Sequence, residues 1–174
     1  MHADLQRTRE VIDQATDGMT MEELSWRTQG KWCAAEILEH LSLTYGGTAK
    51  GLARVAAGGT SMASVPRLKQ RIAAWVVTTW KVLPGGRKSP EQVVPQGMPA
   101  DQVLATIRKN LTDMDEAINS CESAIGTSIR IADHPVLGPL TAKQWRRFHF
   151  VHTRHHMKQI AALRAQMKNG HSRP

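Results

Sequence analysis

Apolar residues along the chain recur three and four apart in several separated stretches, the period of a helix with one buried face. Leu5, Thr8, Ile12, Ala15 and Met19 predict a first helix over about 3–17, which Gly18 can end. A connector, TMEELSWRTQGKW, has room for one helical turn. From Cys33 to about Ala57 the pattern is helical again, with Ile37, Leu41, Thr44 and Thr48 along one side and AAGGTSMAS closing it. Pro66 suits the first turn of a third helix, running to about Leu83 with Leu68, Ile72, Trp75, Val76 and Thr79 on one side. The prolines and glycines of LPGGRKSPEQVVPQGMP then predict a long loop.

The cleanest repeat is Val103, Ile107, Leu111, Met114, Ile118, Cys121 and Ile125, which predicts a helix over about 100–125 and makes Cys121 a core residue. A second loop, GTSIRIADHPVLGPL, leads to a last helix from about Ala142 to Met167. Its start is marked by Thr141 and Gln144 at the spacing of a capping box, flanked by Leu140 and Trp145 as a hydrophobic staple. Strand signals are confined to a few residues such as SIRIA. The predicted class is therefore all-α, most simply a bundle in one domain over 1–174.

Composition narrows this picture only a little. The 174 residues are 41% apolar, ordinary for a globular chain of this size. Two cysteines, Cys33 and Cys121, form no disulfide framework, and MHADLQRTRE is charged from the start, so a cytoplasmic location is expected. The longest nearly apolar stretch, IAAWVVTTW, is far short of the ~20 residues that span a bilayer, so no membrane partner is expected. The formal charge of +8 raises the question of nucleic acid, but the basic residues are scattered through RLKQR, GGRK, KQWRR and RHHMKQ. That dispersal favours a solvated basic surface over a nucleic-acid partner.

The chemistry is concentrated in HFVHTRHHMKQI, four histidines within eight positions of the last helix. The inward stripe of that helix reads Trp145, His149, His152, His156, then Gln159 or Ile160. On an ideal helix His152 and His156 lie about 40° apart around the axis and about 6 Å apart along it, which lets both imidazoles reach one ion. His149 and His156 are about 10.5 Å apart along the axis and cannot share it. His155 falls on another flank with Phe148 and Val151. A lone core histidine is usually only hydrogen-bonded, but unpaired imidazoles in an apolar stripe are costly, and a metal relieves that cost. Two ligands on one helix call for a third. Among His2, His134, His171 and His40, the last is the best placed, at the edge of the apolar stripe of the second helix.

Three motifs, WCAAEILEHL at 32–41, HPVLGPLT at 134–141 and HTRHHMKQI at 152–160, resemble in that order the DinB-like or YfiT-like superfamily of four-helix metalloproteins, in a branch with HPxxGxLT before the last helix. The resemblance covers roughly 26–57 and 130–163. It implies a four-helix bundle with an additional helix between the second and the penultimate helices, because 66–99 has no firm counterpart. It also implies a divalent metal held by His40, His152 and His156, the set reached from helix geometry. Zinc or nickel suits imidazole ligands. The precedents implied are thiol-dependent S-transferases and isomerases that use low-molecular-weight thiols, together with members of no known reaction; the resemblance also implies that dimers are common among relatives.

A metal-dependent transferase or hydrolase acting on a small molecule is the main expectation. The alternatives are a non-catalytic module stabilised by its metal and a nucleic-acid-associated protein. His149 and Glu36 are the candidates for a supporting or proton-relay role, with Glu36 also read as a helix cap. His134, His155, Gln159 and Trp145 are the candidates for lining a substrate pocket. The family often has Ser where this chain has Cys33, and a thiol at a helix N-terminus can be reactive; a tolerated substitution is the favoured reading.

Overall fold

In a computed structural model the described residues are 1–80 and 89–171, with side chains described to Asn169. Four long helices form a bundle: α1 (Ala3–Thr16), α3 (Ala34–Gly58), α5 (Ala100–Ile125) and α6 (Ala142–His171). Short α2 (Met21–Ser25) fills the first connector, and α4 (Leu68–Trp75) is the additional helix between α3 and α5. α3 packs most extensively on α5, and α1 on α6. The predicted stripes of α1, α3 and α5 supply the core: Leu5 and Ile12, Ile37 and Leu41, then Val103, Ile107, Leu111, Met114, Ile118 and Cys121 are all buried. No described helix is long and apolar enough to cross a membrane.

The capping signals act as predicted. Thr141 accepts from the Gln144 N–H at 3.3 Å while its own N–H donates to Gln144 Oε1 at 3.0 Å. Glu36 takes the Cys33 N–H at 2.8 Å and pairs with Arg27 at 3.0 Å. Two partly buried polar links fix the bundle further. Arg146 on α6 reaches Glu122 and Asn119 of α5, each at 2.6 Å, and Asn110 on α5 donates to Ser42 Oγ on α3 at 2.8 Å.

Two regions depart from the sequence reading. The segment read as a loop before the last helix forms an antiparallel hairpin, β1 (Arg130–His134) with β2 (Gly138–Thr141), irregular between Arg130 and Ala132. Pro139, which lacks a ladder donor, hides this strand in the sequence. Gly138 lies at φ +71°, and a Cβ there would come within 2.5 Å of the Gln70 side chain, so α4 closes on the hairpin where a side chain is missing.

The second departure is α4 itself. Helical hydrogen bonding changes to a π-helical turn at Val76–Trp80, and the predicted buried stripe faces outward: Leu68, Ile72 and Trp75 are exposed, while Ala74 and Val77 are buried. The close contact with Gly138 brings the small-residue side of α4 against the fold. The expected end near Leu83 lies outside the described residues, as does the GGRK run.

Candidate metal centre

His40 sits on the second turn of α3, fixed in phase by the Glu36 cap one turn earlier. His152 and His156 lie one turn apart on α6, which the Thr141 cap starts and Arg146 anchors. Their ligand-capable ring nitrogens all lie within 4.8 Å of one another. His152 Nε2 is 3.4 Å from His40 Nε2 and 3.0 Å from His156 Nε2. Two nitrogens on one tetrahedral zinc, each at about 2.0–2.1 Å, stand about 3.3 Å apart.

The outer ring nitrogens decide what those short approaches are. His40 Nδ1–H donates to the Val93 carbonyl at 2.7 Å, and a carbonyl can only accept. His156 Nδ1–H donates in the same way to Gln159 Oε1 at 2.7 Å. Both rings therefore present bare Nε2 lone pairs toward His152. One proton on His152 Nε2 could satisfy one of them, never both. Lone pairs converging among buried groups repel unless a cation lies between them, so this donor set fits a metal ion.

Burial holds these rings neutral, the form that binds metal. Desolvation lowers the pKa of His40, lowers that of His152 well below its usual value with help from its neighbouring imidazoles, and brings His156 down to about 4. Trp32 packs on the His40 ring at 5.2 Å, and Phe148 stacks on His152 at 5.4 Å and 18°.

The three histidines line one wall of a cavity of about 1300 Å³, larger than most ligand pockets. Part of its width comes from α3, where Gly47 and Gly51 face it and a Cβ on either would meet nothing within 4 Å. Helix-interior glycines cost roughly 1 kcal/mol each against alanine, so the space comes at some expense to α3.

Of the other predicted residues, His134, Trp145, His155 and Gln159 all line this cavity. His155 lies at 3.4 Å from the Gln159 amide, with its ring 5.3 Å from that of His156, and is not one of the three converging histidines. His149 is elsewhere: fully buried behind the cavity wall among Tyr45, Trp145 and Phe148, with neither ring nitrogen partnered among the described residues. Its burial, and secondarily the His134 charge, push it down to about 3. Glu36 is committed to the helix cap and Arg27 and does not line the cavity. Cys33 is buried, and desolvation raises its pKa, the reverse of an activated thiol.

Two groups were not foreseen. The Val93 carbonyl comes from a 3-10 turn, Glu91–Val93, within the stretch read as a loop. Glu39, buried beside His40, holds that stretch in place by accepting from the backbone N–H groups of Gln96, Gly97 and Met98 at 2.8, 3.0 and 2.8 Å. The available signal was a helical carboxylate with no Lys or Arg three or four residues away, next to a candidate ligand.

Comparison with curated proteins and with solved structures finds no significant match. A family profile, however, covers nearly all of the bundle, from α1 through His152 and His156 of α6. The chain belongs to the DinB superfamily, whose profile matches residues 4–160.

Proposed function

We propose that the protein is a metal-dependent enzyme acting on a small organic molecule, with one divalent ion, zinc or nickel, held by His40, His152 and His156. The observation that carries this reading is that three neutral imidazoles with converging lone pairs form part of the wall of a large cavity, so an ion there keeps a side open. Metal binding by DinB-family proteins supports it. An ion at such a site supplies a Lewis acid that makes water acidic near neutral pH or holds a thiol as thiolate.

The protein's own groups divide the remaining work. Val93 and Gln159 fix the tautomers of His40 and His156, Glu39 holds the strap that carries Val93, and apolar side chains line much of the wall. Hydrolysis and S-transfer from a low-molecular-weight thiol both use this arrangement, and no described carboxylate stands ready as a general base in the cluster.

The expected result is uptake of about one zinc or nickel per chain by mass spectrometry. A screen of esters, and of electrophiles with and without low-molecular-weight thiols, should then find turnover that requires the metal. Protein that stays metal-free after incubation with either ion removes the reading. Metal-dependent stabilisation with no turnover across the screen favours the non-catalytic module instead. As implied by the family, assembly is proposed to be a homodimer; sedimentation as a monomer at micromolar concentration would exclude it.

A further inference from the structure

His134 ends β1 and opens the turn to Gly138. The backbone N–H groups of Val136 and Leu137 both donate to its Nδ1, each at 3.1 Å. An N–H can only donate, so Nδ1 is bare and the ring proton sits on Nε2. Burial lowers the pKa to about 4, which keeps the ring neutral in that single tautomer at neutral pH. No described residue accepts from Nε2–H, and His134 lines the cavity beside Phe148 at 4.2 Å and Trp145 at 5.5 Å.

Phe148 also stacks on His152, so one phenyl ring connects this donor to the three-histidine cluster. The wall around them is largely apolar, from Leu43, Val55, Val77 and Leu137. Its only charged side chains among the described residues are the exposed Arg54 and Asp133, and Asp133 already accepts from Ser64 N–H at 3.0 Å. A neutral donor in an apolar wall suits a neutral acceptor, since an anion held at this part of the wall, and not on the ion proposed for the three-histidine cluster, loses its hydration without gaining a buried cation.

We propose that His134 selects the ligand of this cavity by donating its Nε2–H to the carbonyl oxygen of an ester, amide or ketone with an apolar body. The proposal rests on the reading of the cavity as a substrate site. Turn closure alone would not call for histidine, because an Asn or Asp side chain makes the same acceptor for the two turn N–H groups. What histidine adds is a second, outward-facing donor.

His134→Asn separates the two roles: it keeps the turn acceptor and removes the cavity donor. The probes are 4-phenylbutan-2-one, butylbenzene as its acceptor-free counterpart, and 3-phenylpropanoate as the anion, titrated by NMR into zinc-free and zinc-loaded protein. The ketone should bind the unaltered protein and shift the His134 Nε2–H resonance. In His134→Asn its affinity should fall about tenfold, the worth of one hydrogen bond, with butylbenzene affinity and melting temperature little changed.

Equal ketone affinity for both proteins overturns the proposal, as does tighter binding of the carboxylate than of the ketone to the zinc-free protein, where no ion draws the anion. If the Asn variant does not fold, the Nε2–H resonance of the unaltered protein decides: no shift on saturation with ketone is equally fatal. Failure of the metal reading is distinguishable, because it appears as absent zinc uptake and leaves the ketone titration interpretable.

Discussion

Alanine at His40, His152 or His156 should each lower zinc affinity by more than about a hundredfold, the upper end of what is lost when a group that merely orients a ligand is removed. His152→Ala should have the largest effect, because its Nε2 is the atom that stands 3.4 and 3.0 Å from the other two. The measurement is competition with a chromophoric chelator at pH 7.5, where burial already keeps the rings neutral and proton competition is small. His155→Ala should stay within about threefold of the unaltered protein, since its nearest polar contact is the Gln159 amide at 3.4 Å rather than the cluster. His171→Ala serves as a second control, its side chain lying outside the described residues.

Glu39→Gln should fall between these extremes, weakening zinc about tenfold. A carboxylate can accept from Gln96, Gly97 and Met98 together, whereas the amide nitrogen of glutamine would face a donor with a donor. The strap would loosen and His40 would lose its fixed acceptor at Val93. Equal losses for His155→Ala and His156→Ala would mean that the rings do not converge as described.

The convergence of the three histidines was legible in the sequence because helix phase is a local property. Once the Thr141 and Gln144 cap fixes where α6 begins, the positions of His149, His152 and His156 around its axis follow, and the same holds for His40 after the Glu36 cap. What converges on them from elsewhere was not legible. Val93 acts through its backbone, which carries no side-chain signature, and it is brought to His40 by a contact 53 residues away in sequence. His149 shows a further limit of phase: a place on the stripe says a ring is buried, and the packing of Tyr45 and Trp145 around it decides that it does not reach the cavity.

The stripe on α4 failed for a different reason. Apolar periodicity marks a face suited to burial, yet α4 is held by the approach of Gln70 to a side-chain-free Gly138, which leaves Leu68, Ile72 and Trp75 outward. Nothing in the period of a helix distinguishes its apolar stripe from a small-residue face that another segment needs for close contact. The hairpin after α5 was similarly hidden, since Pro139 and Gly138 read as loop residues while the pairing of β1 with β2 is made by the fold around them.

Acid should unfold the metal-free protein well before its carboxylates titrate. Five buried or half-buried histidines have lowered folded pKa values: His134 and His156 at about 4, His149 at about 3, with His40 lowered and His152 lowered well below the usual value. In the unfolded chain each returns to about 6.5. Between those limits the unfolded state binds more protons than the folded one, so stability is present above about pH 6.5 and is lost as pH falls toward 4. Each ring held neutral contributes up to about 1.4 kcal/mol of loss per pH unit in that window. Three such rings alone reach about 6 kcal/mol by pH 5, comparable to the ~5–15 kcal/mol that holds a typical domain folded. Melting temperature followed from pH 7.5 to 4 should therefore drop steeply below pH 6.5. Zinc or nickel should move the drop to lower pH by holding His40, His152 and His156 in the neutral form, and only in part, because His134 and His149 lie outside the cluster and still resist protonation in the fold. Coincident melting curves with and without metal at every pH would mean that the three histidines hold no ion, and a melting temperature unchanged between pH 6.5 and 4.5 would mean that the fold does not hold its histidines neutral.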